Sequence, residues 1–124
     1  MRTLMLTAAA LAAASSSLVA VPALADSARS DTTLPVKLEG YLFNNKANLK
    51  ASAKVGDSAK FTWAGGVHNV VSQTVPKGAK KVNSGSPADK HAPLTYRFTK
   101  PGTYVMYCVP HKALGMIITV TVKK

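Results

Sequence analysis

No stretch of this 124-residue chain repeats its apolar residues at a helical period over any length; short runs of β-branched and aromatic residues alternate with Gly- and Pro-rich punctuation instead. The runs are Val36–Phe43, Leu49–Val55, Ala59–Ala64, Val67–Thr74, Leu94–Phe98, Thr103–Cys108 and Met116–Val122. Between them stand Gly56-Asp57, Gly65-Gly66, Pro76-Lys77-Gly78 and Pro101-Gly102, residues that supply positive or fixed φ angles to turns. Lys60-Phe61-Thr62-Trp63 alternates polar and aromatic. Ile118-Thr119-Val120-Thr121-Val122 puts Ile118, Val120 and Val122 on one face. Such spacing predicts an all-β, antiparallel sandwich or barrel. Val75 to Ala92, rich in Lys, Ser, Gly and Pro, reads as a long connection holding at most one short strand or helical turn around Lys80–Asn83.

The N-terminus has a separate character. Met1-Arg2-Thr3 precedes an Ala-rich apolar stretch, and Ala23-Leu24-Ala25 follows a proline and a run of serines. A positive start, an apolar middle and an Ala-x-Ala end describe a signal peptide, residues 1–25, cleaved before Asp26. Residues 26–35 read as a flexible leader, and residues 36–124 as one domain. A mature chain of that size can form a core without disulfide staples. Cleavage predicts periplasmic localisation, with a thylakoid lumen as the alternative, and no stable membrane insertion.

Export changes the meaning of Cys108, the single cysteine. An exported chain with one cysteine has no internal disulfide to make, so the thiol is free, paired between molecules or bound to something. Its neighbours favour the last. Tyr107-Cys108-Val109-Pro110-His111-Lys112-Ala113-Leu114-Gly115-Met116 spaces a thiolate, an imidazole and a thioether as Cys-x2-His-x4-Met, and His68 stands forty residues upstream. Two imidazoles, one thiolate and a weak thioether are soft donors that suit copper and tolerate both of its common oxidation states. Pro110 fixes the turn after Cys108, and Gly115 relieves strain before Met116.

In order along the chain stand Val55-Gly56-Asp57 before Phe61-Thr62-Trp63, then His68-Asn69-Val70-Val71, Asn83-Ser84-Gly85, Phe98-Thr99-Lys100-Pro101-Gly102-Thr103-Tyr104, and the Cys108 to Met116 loop. These ordered motifs resemble the cupredoxins, in particular the small type I copper proteins of the plastocyanin and pseudoazurin kind. The resemblance implies an antiparallel Greek-key β-sandwich holding one type I copper. It makes His68, Cys108 and His111 equatorial ligands, the histidines binding through the nitrogen nearer the backbone, and Met116 the axial ligand. Asn69 would support the site through its main-chain N–H to the sulfur and a side-chain bond between loops, with Val109 and Pro110 beside it. Electrons would pass at the His111 edge, through a surface built from Val67, Pro110, Ala113 and Leu114 with Lys112 at the rim. The sequence differs from that pattern in having Val109 where Ser or Thr is common, Ile118 for a frequent glycine, Ala64-Gly65-Gly66 before the first histidine, and Asn44-Asn45 after Phe43.

The implied function is single-electron shuttling, with copper carriage or buffering as the alternative. An enzyme built on a Cys108–His111 nucleophile lacks a group to orient the imidazole. A zinc site would need a better fourth donor than methionine. A dicopper centre needs two bridging thiolates. Sixteen basic residues face five acidic ones; losing Arg2 with the signal leaves a charge of +10. That field favours redox partners with an acidic docking face, such as a cytochrome, a copper nitrite reductase or a dehydrogenase. No arginine-rich or aromatic-basic tract suggests nucleic acid, and the protein is expected to be a monomer. His91 reads as a surface loop histidine, and Trp63, Phe61, Tyr104, Met106 and Tyr107 read as packing residues.

Overall fold

A computed structural model describes residues 31–124; the expected signal peptide and residues 26–30 of the expected leader lie outside the described residues. Eight strands, β1 Thr33–Glu39, β2 Leu42–Phe43, β3 Leu49–Lys54, β4 Ser58–Trp63, β5 Val71–Thr74, β6 Leu94–Arg97, β7 Gly102–Tyr107 and β8 Ile117–Lys123, form two four-stranded sheets. One sheet has the order β2-β1-β4-β6 and the other β3-β8-β7-β5. Their facing sides make one core, as the alternation in the sequence requires. In β4, Ala59 and Phe61 are buried between exposed Lys60 and Thr62; in β8, Ile118, Val120 and Val122 are buried. Each large side chain so buried contributes roughly 1.5–3 kcal/mol relative to exposure.

The sandwich is not purely antiparallel. β1 runs parallel to β4 and β3 runs parallel to β8, while the β1–β2, β4–β6, β5–β7 and β7–β8 pairs are antiparallel. A crossover between sheets brings sequence-adjacent strands into different layers, which local pattern does not reveal. The first parallel pair also shortens the leader. Thr33 to Pro35 pair with Ser58 to Lys60, and the Thr32 N–H donates to Asp57 Oδ1 at 2.9 Å, so the ordered strand starts at Thr33 instead of Val36.

Two expected strands are interrupted. Val36–Phe43 breaks at Gly40, φ +58°, into β1 and β2. Asn44, Asn45 and Asn48 then take positive φ, which asparagine tolerates because its side chain bonds locally. Asn44 does so: its Oδ1 accepts from Lys37 N–H at 2.7 Å and its Nδ2 donates to Pro35 O at 3.0 Å. Val67–Thr74 is strand only from Val71, because residues 67–70 leave the ladder to place side chains at the end of the sandwich. Lys80–Asn83 forms no strand of its own; Asn83 makes an isolated bridge to Val71, and Val82 N–H donates to Ser72 Oγ at 2.8 Å.

Candidate metal centre

β7 ends at Tyr107, and Cys108 is the cap of a 3₁₀ helix, Val109–Leu114, with Pro110 in its first turn where a missing N–H costs nothing. The helix closes on Gly115, whose φ of +94° lets its N–H reach back to Lys112 O at 3.0 Å. Cys108 N–H then donates to Met116 O at 3.1 Å, and Met116 N–H to His111 O at 3.2 Å. One tight loop between neighbouring strands β7 and β8 thus carries Cys108, His111 and Met116, with Cys108 and Met116 fully buried. His68, also fully buried, enters from the stretch before β5.

The donor atoms converge. His68 Nδ1 lies 3.2 Å from His111 Nδ1, and Cys108 Sγ lies 3.7 Å from the first and 3.5 Å from the second. A point equidistant from all three sits about 2.0 Å from each, the length of a metal–nitrogen bond and slightly short for metal–sulfur. Both histidines present the nitrogen nearer the backbone. Among the described residues these three form the group of His, Cys and acidic side chains able to hold a metal. Burial, and His111 beside it, push the His68 imidazolium down from its ordinary 6.5, against weaker pulls from the Gly65 and Gly40 carbonyls, so the ring is a neutral donor at pH 7. Burial raises the Cys108 thiol above 9.0, against the main-chain N–H groups of Asn69 and His111. A metal therefore has to displace the thiol proton.

Asn69 ties three loops together. Its main-chain N–H faces the Cys108 sulfur, its Nδ2 donates to Gly85 O at 3.1 Å, and its Oδ1 accepts the Val109 N–H at 2.9 Å. The Val109 side chain is half exposed and uninvolved, so the bond between loops needs no hydroxyl at that position.

On the outside, Val67, Val109 and Leu114 are exposed large apolar residues, with Pro110 and Ala113 also exposed and His111 half-buried among them. Lys112 is exposed, with its Nζ 4.3 Å over the Tyr107 ring. Three further contacts escaped the sequence reading. Tyr41, 63% exposed, packs edge-on against the His111 ring at 5.1 Å. Trp63 is only half-buried and donates from Nε1 to the His68 carbonyl at 2.8 Å. His91 stacks on Trp63 at 4.6 Å instead of standing free in its loop. The Tyr41–His111 and Trp63–His91 contacts join segments distant in the chain, and the Trp63–His68 bond depends on how the strap after β4 folds back, so strand alternation signals none of them.

A two-layer β-sandwich with two imidazoles and a thiolate converging at one end, beside a buried methionine on the same loop, defines a cupredoxin with copper as its cofactor. Residues 36–123 match the family of copper binding proteins described as the plastocyanin/azurin family, and the chain belongs to it. Plastocyanin of Prochlorothrix hollandica is 34% identical over 76 residues, 58% of each protein, so the match spans little more than half of that relative's length. Pseudoazurin from Methylobacterium extorquens AM1 superimposes with a TM-score of 0.60 at 28% identity, over 74% of this chain and 76% of that one. Pseudoazurin from Hyphomicrobium denitrificans gives 0.59 at 26% identity, over 75% and 77%.

Proposed function

We propose that this protein carries single electrons on one copper, held by His68, Cys108 and His111 with Met116 as the weak axial ligand. The observation that carries the reading is the convergence of three donor atoms in a buried, hydrogen-bonded frame beside an exposed apolar surface. The copper supplies the one-electron Cu(II)/Cu(I) change. The chain supplies everything else. Cys108 gives up its proton to become the thiolate, and His68 is already neutral. Asn69 fixes the distance between the two ligand loops, so the donors shift little when the charge changes. His111 brings its ring to the apolar face formed by Tyr41, Val67 and Leu114, where a partner approaches without crossing a shell of bound water. The lysines, spread over the rest of the surface, attract redox proteins with acidic faces.

Among the described residues no helix is long and apolar enough to cross a membrane. Reading residues 1–25 as a signal peptide places the carrier in the periplasm, or alternatively in a thylakoid lumen. The reading assigns no catalytic residue. The competing function is copper carriage without redox turnover. Adding Cu(II) to the purified mature chain tests both. An intense thiolate-to-copper absorption in the visible that bleaches with a mild reductant and returns with an oxidant marks an electron carrier. A colourless protein sinks the reading; slow reduction with ready loss of copper to a chelator indicates carriage.

A further inference from the structure

We infer that Gly66 is a positioning residue, the steric stop that sets the ring of His68. The inference rests on the reading of His68 as a copper ligand.

The His68 ring is fully buried, and its outer nitrogen, Nε2, makes no hydrogen bond. The Gly65 and Gly40 carbonyls near the ring pull on it only weakly, so packing has a large share in setting that edge. Gly66 lies against it. A Cβ on Gly66 would stand 2.8 Å from Nε2, 3.4 Å from Cδ2 and 3.6 Å from Cε1. Non-bonded carbon contacts are comfortable at about 3.5–4.0 Å, so even one methyl group asks the ring to retreat by roughly half an ångström or more. Any retreat also shifts the donor atom on the ring's inner side. Its Nδ1 already lies 3.2 Å from His111 Nδ1 and 3.7 Å from Cys108 Sγ. Metal–ligand distances tolerate deviations of about 0.2 Å, less than half of that displacement.

The backbone strap cannot easily yield instead. It is tied at one end by Ala64 N–H to Leu38 O at 3.0 Å and at the other by Trp63 Nε1–H to the His68 carbonyl at 2.8 Å. Gly65 provides the internal comparison. It too has a positive φ, +139° against +82° for Gly66, but a Cβ there meets nothing within 4 Å. A side chain at either position strains the backbone. Only at Gly66 does it also press on a copper ligand.

The test uses the mature protein with Gly66→Ala and Gly65→Ala, each in the parent and in the His68→Ala background. Thermal melts of the metal-free proteins come first. Gly65→Ala lowers the midpoint equally in both backgrounds, while Gly66→Ala lowers it by about 5 °C more in the parent than with His68→Ala, where the clash is gone. Equal effects of Gly66→Ala in both backgrounds overturn the inference, as does failure to fold in both. Folding only in the His68→Ala background supports it. Copper-loaded samples follow. Gly66→Ala binds Cu(II) at least about tenfold more weakly and shifts the visible and electron-paramagnetic-resonance spectra, whereas Gly65→Ala keeps those of the parent. A Gly66→Ala protein with parental affinity and spectra also overturns the inference. If the parent itself takes up no coloured copper, the ligand reading fails, and the melts alone still decide the Gly66–His68 contact.

Discussion

Asn69 Oδ1 accepts a 2.9 Å hydrogen bond from the main-chain N–H of Val109, forty residues away, and so clamps the stretch that carries His68 to the loop that carries Cys108 and His111. The donor is backbone, so the clamp is indifferent to the side chain at 109. Val109→Thr is expected to leave the copper spectrum and the melting midpoint nearly unchanged. Asn69→Ala strips partners from the Val109 N–H and the Gly85 carbonyl in a site where Asn69 itself is 3% exposed. A loss of about 1–3 kcal/mol in urea unfolding, with a shifted spectrum, is the expected outcome. An unchanged stability would mean that the clamp does not bear on the fold.

Cys108→Ser keeps a small buried side chain that the Asn69 main-chain N–H faces, so the domain is expected to fold, with a loss of about 1–2 kcal/mol. The thiolate-to-copper absorption disappears entirely. Circular dichroism and visible absorption on the same sample separate the two effects; residual visible colour would mean that sulfur is not a ligand.

Proton release measures the same ligand without colour. At pH 7.5 the thiol, raised above 9.0, is protonated in the metal-free fold, while His68, held below 6.5, is already neutral. Copper uptake therefore expels one proton from Cys108 and none from His68. Calorimetric titrations in two buffers of different ionisation enthalpy count the protons. A count of zero would exclude the thiolate.

Stability of the metal-free protein should fall on both sides of a neutral window. His68 has a folded pKa below its ordinary 6.5, so as acidity increases the unfolded chain takes the proton first; stability present above pH 6.5 is lost as pH falls. Cys108 and Tyr96 have folded values raised above 9.0 and 10.0, mainly by burial, so the unfolded chain loses those protons first and stability is lost as pH rises past 9. Melting midpoints between pH 5 and 11 should trace this dome. A midpoint flat from pH 7 down to 5 would argue against burial of neutral His68.

Electron self-exchange between two copies probes the His111 face without a named partner. Leu114 is 58% exposed beside that face, and Leu114→Lys adds like charge to both copies. The self-exchange rate from NMR line broadening is expected to drop by about tenfold while the copper spectrum stays that of the parent. Because the copies are both strongly basic, the parental rate should rise with salt. A Leu114→Lys rate equal to the parent would place the electron's exit elsewhere.

The sequence reading reached the fold class and pointed to the donors that the fold brings to one end of the sandwich, because those signals are local or nearly so. Strand alternation repeats every two residues, and Cys108, His111 and Met116 share one loop whose turn chemistry, Pro110 and Gly115, is written beside them. Strand bounds fell within about a residue for β3, β4, β6, β7 and β8. The misses have another origin. β1 and β4 pair in parallel through Thr33↔Ser58, a contact within one sheet between segments about 25 residues apart that no nearest-neighbour pattern encodes. The turn at Gly40 likewise swings Tyr41 over His111.

What the sequence by itself determined is which donors are present and which strands they end. Tertiary structure alone decided how they are held: His68 set against Gly66, its carbonyl fixed by Trp63, Trp63 covered by His91, and Asn69 reaching across to Val109. The physical reason is that alternation and turn preference fix backbone type over a few residues. The positions of ligand atoms to a few tenths of an ångström depend instead on side-chain packing: on how the short strap from Trp63 to His68 folds back on itself, and on contacts between segments as many as forty residues apart, brought together only when the two sheets close.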